Sequence, residues 1–204
     1  MRRTIPALAS ALALVLAPAL TPDALAGEPR THDGFFLRLS GGFGHARTSI
    51  DLVSEFEVRG ATGDLNLAVG GMVAPNLALH GTIFGWSAAD PDLEWTGVGS
   101  AELNGDVTLS AVGVGLTYYV MPANLYLSGS VGAGTLKADI SGGLEGETDT
   151  GVIVDLTVGK EWWTGNSWGL GLAGDVMLHS LPEKGIDESW GGASVGIRFS
   201  ATLN

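Results

Sequence analysis

The fold is decided by residues 108–134, TLSAVGVGLTYYVMPANLYLSGSVGAG, where two alternating runs flank a tight turn at 121–124. In the first run the larger apolar side chains take every second position, namely Val112, Val114, Leu116, Tyr118 and Val120. The second run, residues 125–134, alternates in the same way. A period of two residues is typical of a β-strand whose two faces meet different surroundings. The stretch therefore predicts a β-hairpin with one strongly apolar face.

The same pattern recurs along the chain and predicts eight strands, at residues 34–44, 64–73, 77–86, 108–120, 125–134, 150–163, 168–179 and 190–202. Connections after the second, fourth and sixth strands are tight, whereas the other connections are long and hold most of the chain's 22 acidic residues. Residues 47–59, in the first long connection, fit either a loop or a hairpin that extends beyond the membrane. Short turns at one end and long loops at the other are typical of outer-membrane barrels. We therefore predict an all-β fold, an eight-stranded antiparallel up-and-down transmembrane β-barrel.

The first 26 residues predict a secretory signal peptide rather than part of the fold. Arg2 and Arg3 precede an apolar run, and Ala24 and Ala26 form a small-residue cleavage site before Gly27. We assign residues 27–204 to one barrel domain. The absence of cysteine excludes disulfides and thiolate metal sites. The net charge of −12 disfavours nucleic acid as a partner, because phosphates require a cationic surface.

The less apolar face of the strands predicts a polar lumen and an exterior in lipid. That face carries Arg38, Asp64, Asn66, His80, Asp155, Glu161, Asp175 and Arg198. A soluble barrel would place its charges outside, over an apolar core. Lys160 is the one charged residue on the apolar face, and it is close enough to a tight turn to snorkel.

Five of the charged residues predict an ion-pair network in the lumen. An eight-stranded barrel is only wide enough for side chains to fill it, and buried carboxylates require partners. We expect Arg38 and Arg198, on the neighbouring first and eighth strands, to pair with some of Asp155, Glu161 and Asp175. Such a network fits a structural plug, which we favour, or a gated ion path. Near the tight turns, an aromatic girdle is predicted from Tyr118, Trp162, Trp168 and Phe199.

Over residues 34–202 the chain resembles the superfamily of small outer-membrane barrels that includes the OmpA transmembrane domain, OmpX and OmpW-like proteins. The resemblance rests on the signal peptide, the eight amphipathic strands and the asymmetry of the loops. It implies a place in the outer membrane of a Gram-negative cell, with outer-membrane lipid and lipopolysaccharide as surroundings. It also implies that the barrel-assembly machinery reads an aromatic residue near the end of the last strand. Phe199 has the right parity for that role, although five further residues follow it.

Metal binding and catalysis are weaker hypotheses. The densest loop acids, Asp90, Asp92 and Glu94, lack the ligand spacing of a calcium loop, so a solvated loop is favoured and no metal or cofactor is predicted. A lipid-modifying enzyme would need a nucleophile beside a base, and His179-Ser180 is the local candidate. Adjacent strand residues point to opposite faces, so no catalytic residue and no enzymatic activity are predicted. His80 is expected to be a polar lumen residue, and His32 and His45 are expected to lack partners.

The sequence thus predicts a small integral outer-membrane β-barrel protein with a structural or surface-interaction role and a lumen filled by polar side chains. The alternative is a narrow, porin-like channel for ions or small solutes. A conduit for hydrophobic solutes, an adhesin and a lipid-modifying enzyme rank below these two. The sequence specifies no surface ligand.

Overall fold

Eight long strands and three short ones make up the computed structural model, which describes residues 32–52, 55–95, 97 and 99–203. The long strands are β1 (Phe35–Asp51), β2 (Glu55–Ala74), β3 (Leu77–Ala89), β6 (Gly105–Val120), β7 (Leu125–Ile140), β9 (Gly151–Trp163), β10 (Trp168–Pro182) and β11 (Ser189–Leu203). The short ones are β4 (Asp92–Trp95), β5 (Gly99–Glu102) and β8 (Leu144–Glu147). The predicted signal peptide, residues 1–26, lies outside the described residues. Within them, no helix has the length and apolarity needed to cross a membrane.

The long strands close into one antiparallel barrel. Each pairs with the next long strand along the chain, and β1 also pairs with β11, so that Arg38 lies opposite both Ala68 and Thr202. Because the last strand returns to the first, the eight-stranded sheet has no free edge. The predicted all-β, eight-stranded antiparallel barrel is therefore confirmed.

The outer wall of the barrel is apolar. Side chains along β6 alternate between buried and exposed, and Val112 and Val114 remain 63% and 59% exposed. Every other long strand also presents large apolar side chains outward, among them Phe43, Leu65, Ile83, Leu127, Leu156, Leu170 and Val195. A continuous apolar surface of this size is unfavourable in water and matches the acyl chains of a bilayer. The exterior therefore fits a transmembrane barrel.

The strands are longer than predicted at the long-loop end of the barrel. β1 and β2 remain paired up to Asp51 and Glu55, so residues 47–59 extend the first hairpin rather than forming a loop. β3, β6 and β7 also run past their predicted ends, and β4, β5 and β8 were not predicted at all. In these extensions the apolar residues point inward and the polar residues outward, as Leu136 and Ala138 do against Lys137 and Asp139, so the alternation typical of a strand that faces lipid is lost. The backbone ladder nevertheless continues, because its hydrogen bonds do not depend on that alternation.

Side chains fill the lumen in three layers, and two of these layers are largely apolar, whereas we expected polar side chains to fill it. At the long-loop end lies an apolar cluster, formed mainly by Phe84, Trp86, Leu109, Leu136, Ile153, Met177 and Leu181. At the tight-turn end lies a smaller cluster around Phe36, Tyr119 and Tyr126. The charged residues occupy the space between and beside these clusters. The barrel thus has a polar middle with an apolar layer toward each end.

Candidate functional site

Arg198 is the centre of the polar middle layer. Its Nη1 donates to both carboxylate oxygens of Asp155, at 3.0 Å each, and its Nη2 lies 2.9 Å from Oδ2 of Asp175. The Asp155 carboxylate also accepts a hydrogen bond from the side-chain amide of Asn66 at 3.3 Å. All of these side chains are buried. One guanidinium therefore pairs with two carboxylates, which approach it from β9 and β10.

Arg38 forms a second ion pair, nearer to the tight-turn end. Its Nη2 lies 3.4 Å from Oε1 of Glu161 and donates to the Tyr119 hydroxyl at 2.7 Å. Thr202 connects the two charges, because its hydroxyl accepts from Nε of Arg38 at 3.3 Å and donates to Glu161 at 2.6 Å. The guanidinium also lies 4.0 Å from the centre of the Tyr126 ring, within cation–π range. The five charged residues of the predicted network thus form two groups, Arg38 with Glu161 and Arg198 with Asp155 and Asp175.

Asp64 is a third carboxylate near Arg198, and the structure gives its buried oxygens no hydrogen bond. The space around it depends on Gly196: a Cβ there would lie 2.5 Å from Oδ2 of Asp64 and 3.0 Å from Oδ1 of Asp175. His80 is buried nearer to the tight-turn end than Asp64, with its Nε2 3.1 Å from the Thr117 hydroxyl. A cavity with room for about one water molecule lies between the two arginines.

His32 corrects the expectation that this histidine has no partner. Its ring is buried at the tight-turn end of the lumen, 3.5 Å from the Tyr119 ring between centroids and nearly parallel to it. Its Nε2 lies 2.7 Å from the side-chain oxygen of Asn124. No sequence pattern indicated this, because His32 precedes the first alternating run. The residue covers the lumen beside the turn between β6 and β7.

The four predicted girdle residues all point outward near the tight-turn end. Tyr118, Trp162, Trp168 and Phe199 are between 40% and 60% exposed. Lys160 lies on the same wall, but its ammonium group reaches the turn and donates to the carbonyl of Ala123 at 2.6 Å. This is the snorkelling geometry expected of a lysine at the edge of an apolar band.

The weaker candidate sites do not assemble. His179 points into the lumen, where its Nε2 lies 2.9 Å from the Thr48 hydroxyl, whereas Ser180 is exposed on the outer wall. In the loop, Asp90 accepts from the Gly105 amide and Glu94 pairs with Arg59. Among the described residues, no group of three or more acidic or histidine side chains is arranged to hold a metal ion.

Beyond the apolar band, the long connections form a braced structure that we call the loop crown, residues 47–59, 89–106, 137–150 and 180–191. β4 extends the first hairpin by pairing with β2, where the Trp95 and Phe56 rings lie 4.9 Å apart. The amide of Ser141 donates to the carbonyl of Asn104, and that of Asp149 donates to the carbonyl of Pro182. The β1–β11 ladder completes the ring as far as Ser49. Each long connection therefore contacts its neighbours.

The loop crown is strongly acidic even after its ion pairs are considered. Its four basic residues already have acidic partners inside the crown: Arg47 with Glu57, Arg59 with Glu94, and Lys137 and Lys184 both with Glu147. Hydrogen bonds from Lys184 and Lys137, together with their charges, hold the pKa of the Glu147 carboxyl below its usual value. Within the described part of the crown, no unpaired basic side chain is left to balance the remaining carboxylates.

Three features of the site were not predicted from the sequence. They are the apolar lumen layer at the long-loop end, the burial of His32, and the cross-bracing of the loops. The first did leave a signal, because Phe84, Trp86 and Leu109 have inward parity at the loop ends of their strands. The other two depend on contacts between distant segments and leave no local pattern.

No protein-family model matches the chain, and no curated protein does. Among solved structures, Neisserial surface protein A (NspA) is similar over 81% of this chain and 96% of its own, with 15% identity and a TM-score of 0.54. The chain has the fold of the small eight-stranded outer-membrane β-barrels. OprG from Pseudomonas aeruginosa matches over 87% of this chain and 100% of its own, at 12% identity and a TM-score of 0.49. The outer membrane protein AlkL matches over 90% and 96%, at 12% identity and a TM-score of 0.48.

Proposed function

We propose that this chain is a small integral outer-membrane protein that serves the envelope, or its contacts at the cell surface, through the loop crown. The cross-braced loops carry this proposal. Loops that already contact one another lose less conformational freedom when they bind, which favours a binding surface over a set of flexible connections. The apolar wall supports outer-membrane lipid and lipopolysaccharide as surroundings, and Phe199 supports recognition by the barrel-assembly machinery.

The lumen supports a structural role rather than transport. Arg38 and Arg198 bind buried carboxylates of other strands, and the apolar layer around Trp86 lies between them and the loops. Water and ions would have to displace both layers to cross. An ion-paired core of this kind can instead hold the strands in register.

Planar-bilayer recording tests the proposal against a narrow channel. We expect no discrete conductance steps from the wild-type protein in bilayers where a general porin gives steps. Regular steps from the wild type, abolished when the protein is denatured, would overturn the closed lumen and favour the channel.

The role of the loop crown is tested with a variant in which residues 91–103 are replaced by a short Gly-Ser linker. Their described part, which includes β4 and β5, lies outside the barrel wall, so the variant should keep the heat-dependent gel shift of a folded barrel. We expect bacteria that display the variant to attach less well to protein-coated surfaces than bacteria that display the wild type. Equal attachment of both would contradict a surface-interaction role for the crown.

A further inference from the structure

In the part of the chain that the structure describes, each of the four outer loops presents one large apolar side chain to solvent. Leu52 lies between β1 and β2, Trp95 between β3 and β6, Leu144 between β7 and β9, and Ile186 between β10 and β11. We call these four the loop-tip residues. They are 52%, 42%, 67% and 47% exposed, respectively. Among the described residues, the other large apolar side chains with comparable exposure all lie on the barrel strands.

The loop tips belong to one connected structure rather than to four independent loops. Trp95 lies on β4, which pairs with β2, and Leu144 lies on β8, which pairs with β7. Lys184, two residues from Ile186, binds Glu147 at 3.1 Å, close to Leu144. Exposed apolar side chains on ordered supports are typical of the anchors of protein interfaces, and tryptophan is enriched among them.

The negative charge around the loop tips indicates what kind of partner could bind there. Every basic side chain of the crown is paired inside it, and the surplus of exposed carboxylates includes Asp92, Glu102, Glu145 and Asp187. This potential repels anionic lipid surfaces and a second copy of the same crown. A partner that is both cationic and apolar would satisfy the carboxylates and the loop tips together.

We propose that the loop crown binds a cationic amphipathic polypeptide, with the loop-tip residues as its apolar anchors and the surrounding carboxylates as its charge partners. This inference rests on the proposed function, because it assigns a partner class to the same surface. Charge attracts the partner over a distance, and burial of the loop tips provides the short-range contacts.

The test uses the full-length mature protein in zwitterionic phosphatidylcholine nanodiscs, with empty nanodiscs as background. The probes are a synthetic helical peptide of Lys and Leu and a peptide of equal charge made of Lys and Ser. We expect the wild type to bind the Lys-Leu peptide at least about tenfold more tightly than the Lys-Ser peptide, because only the former buries the loop tips. Equal binding of both peptides would overturn the apolar part of the proposal.

Variants separate the two contributions. Replacing the four loop-tip residues by Ser (L52S, W95S, L144S, I186S) should abolish the preference for the Lys-Leu peptide. A matched variant that keeps them apolar (L52I, W95F, L144I, I186L) should retain it. Neutralising Asp92, Glu102, Glu145 and Asp187 as amides should weaken binding of both peptides several-fold, as should added salt. If the Ser variant still prefers the Lys-Leu peptide, the loop-tip residues are not apolar anchors. If the amide variant binds both peptides as tightly as the wild type, the four carboxylates are not charge partners.

Two controls keep the result interpretable. The heat-dependent gel shift shows that each variant is folded, and the single variant Leu144→Ser, at the most exposed tip, replaces the fourfold variant if that one fails to fold. Bilayer recording on the same samples distinguishes the two proposals. Conductance steps would contradict the proposed function, whereas a closed barrel without peptide preference would contradict this inference alone.

Discussion

Arg198 forms ion pairs with two buried carboxylates at once, so its replacement should destabilise the barrel strongly. Replacing it with Met would leave Asp155 and Asp175 buried without a cation. Removing one member of a buried ion pair typically costs about 3–5 kcal/mol. We expect Arg198→Met to lower the free energy of unfolding, measured by urea titration in lipid vesicles, by about that amount. The control is Arg59→Gln: the Arg59 and Glu94 side chains are 42% and 38% exposed, so loss of this pair should cost under ~1 kcal/mol. Equal effects of the two substitutions would contradict the ion-paired core.

Gly159 makes a separate prediction about packing in the lumen. A Cβ at this position would lie 2.6 Å from ring atoms of Tyr126, whose hydroxyl and ring are buried. Gly159→Val should therefore lower the free energy of unfolding by about 1–3 kcal/mol, because the Tyr126 ring would have to move within a filled lumen. Gly129 faces outward, and its Cβ would meet only Leu156 at 3.5 Å. Gly129→Val should be tolerated, so a destabilisation as large as that of Gly159→Val would argue against the packing described here.

The charged lumen residues show how much the sequence predicts at single positions: the face of the strand, but not the ion-pair partner. Strand parity alone placed Arg38, Glu161 and Arg198 on the inward face. It did not indicate that Arg38 would bind Glu161 while Arg198 bound the two aspartates. That choice depends on the stagger between strands and on the side-chain rotamers, which the sequence does not express.

At the scale of elements, Glu147 joins two loops. It binds Lys137 of the neighbouring strand and Lys184 of the last loop. The pKa of the Glu147 carboxyl is lower in the folded protein than in the unfolded chain, because hydrogen bonds from Lys184 and Lys137 favour the charged form. The bracing is therefore fully present above the unfolded pKa and is lost as the pH falls through the lower, folded pKa.

We expect Glu147→Gln to increase amide hydrogen exchange in residues 137–149 and 182–188 at neutral pH. After correction for intrinsic exchange rates, the difference from wild type should disappear in acid, where Glu147 is protonated. Glu145→Gln is the matched control, since the structure shows no ion pair at that side chain, and it should leave both segments unchanged. Faster exchange in the Glu145 variant alone would contradict the assignment of the brace.

The strands were predictable where they cross the apolar band and not beyond it. Alternation identified residues 112–120 and 125–133 because lipid and lumen impose different side chains on the two faces. The extensions to Asp51, from Glu55 and to Ile140 bury residues such as Ile50 and Leu136 inward and carry polar residues outward, so they lack the apolar outer face that marked the other strands. β4 and β8 are held by pairing with longer strands, which local sequence does not specify.

At the scale of the whole molecule, the loop asymmetry was sufficient to predict the closed barrel. The layers of the lumen were harder, because Phe84, Trp86 and Leu109 look like ordinary strand residues until the barrel is closed around them. Because of these layers, we expect the interior of the barrel to be closed. The loop-tip residues likewise form one surface only in the structure, where four loops that are distant in the sequence lie at the same end of the barrel.

Cysteine accessibility in lipid vesicles tests this account most directly, because the chain has no cysteine of its own. Single cysteines are introduced at three sites on the outer wall, Val114, Val131 and Leu156, at three in the lumen, Ser130, Ser194 and Ser200, and at Ser141 in the crown. The account predicts that Ser141→Cys reacts with a charged, membrane-impermeant thiol reagent. The outer-wall cysteines should react only with a lipid-soluble maleimide, and the lumen cysteines with neither until the protein is unfolded. Rapid reaction of the lumen cysteines with the charged reagent would contradict the closed lumen, and the same reaction at the outer wall would contradict the membrane barrel.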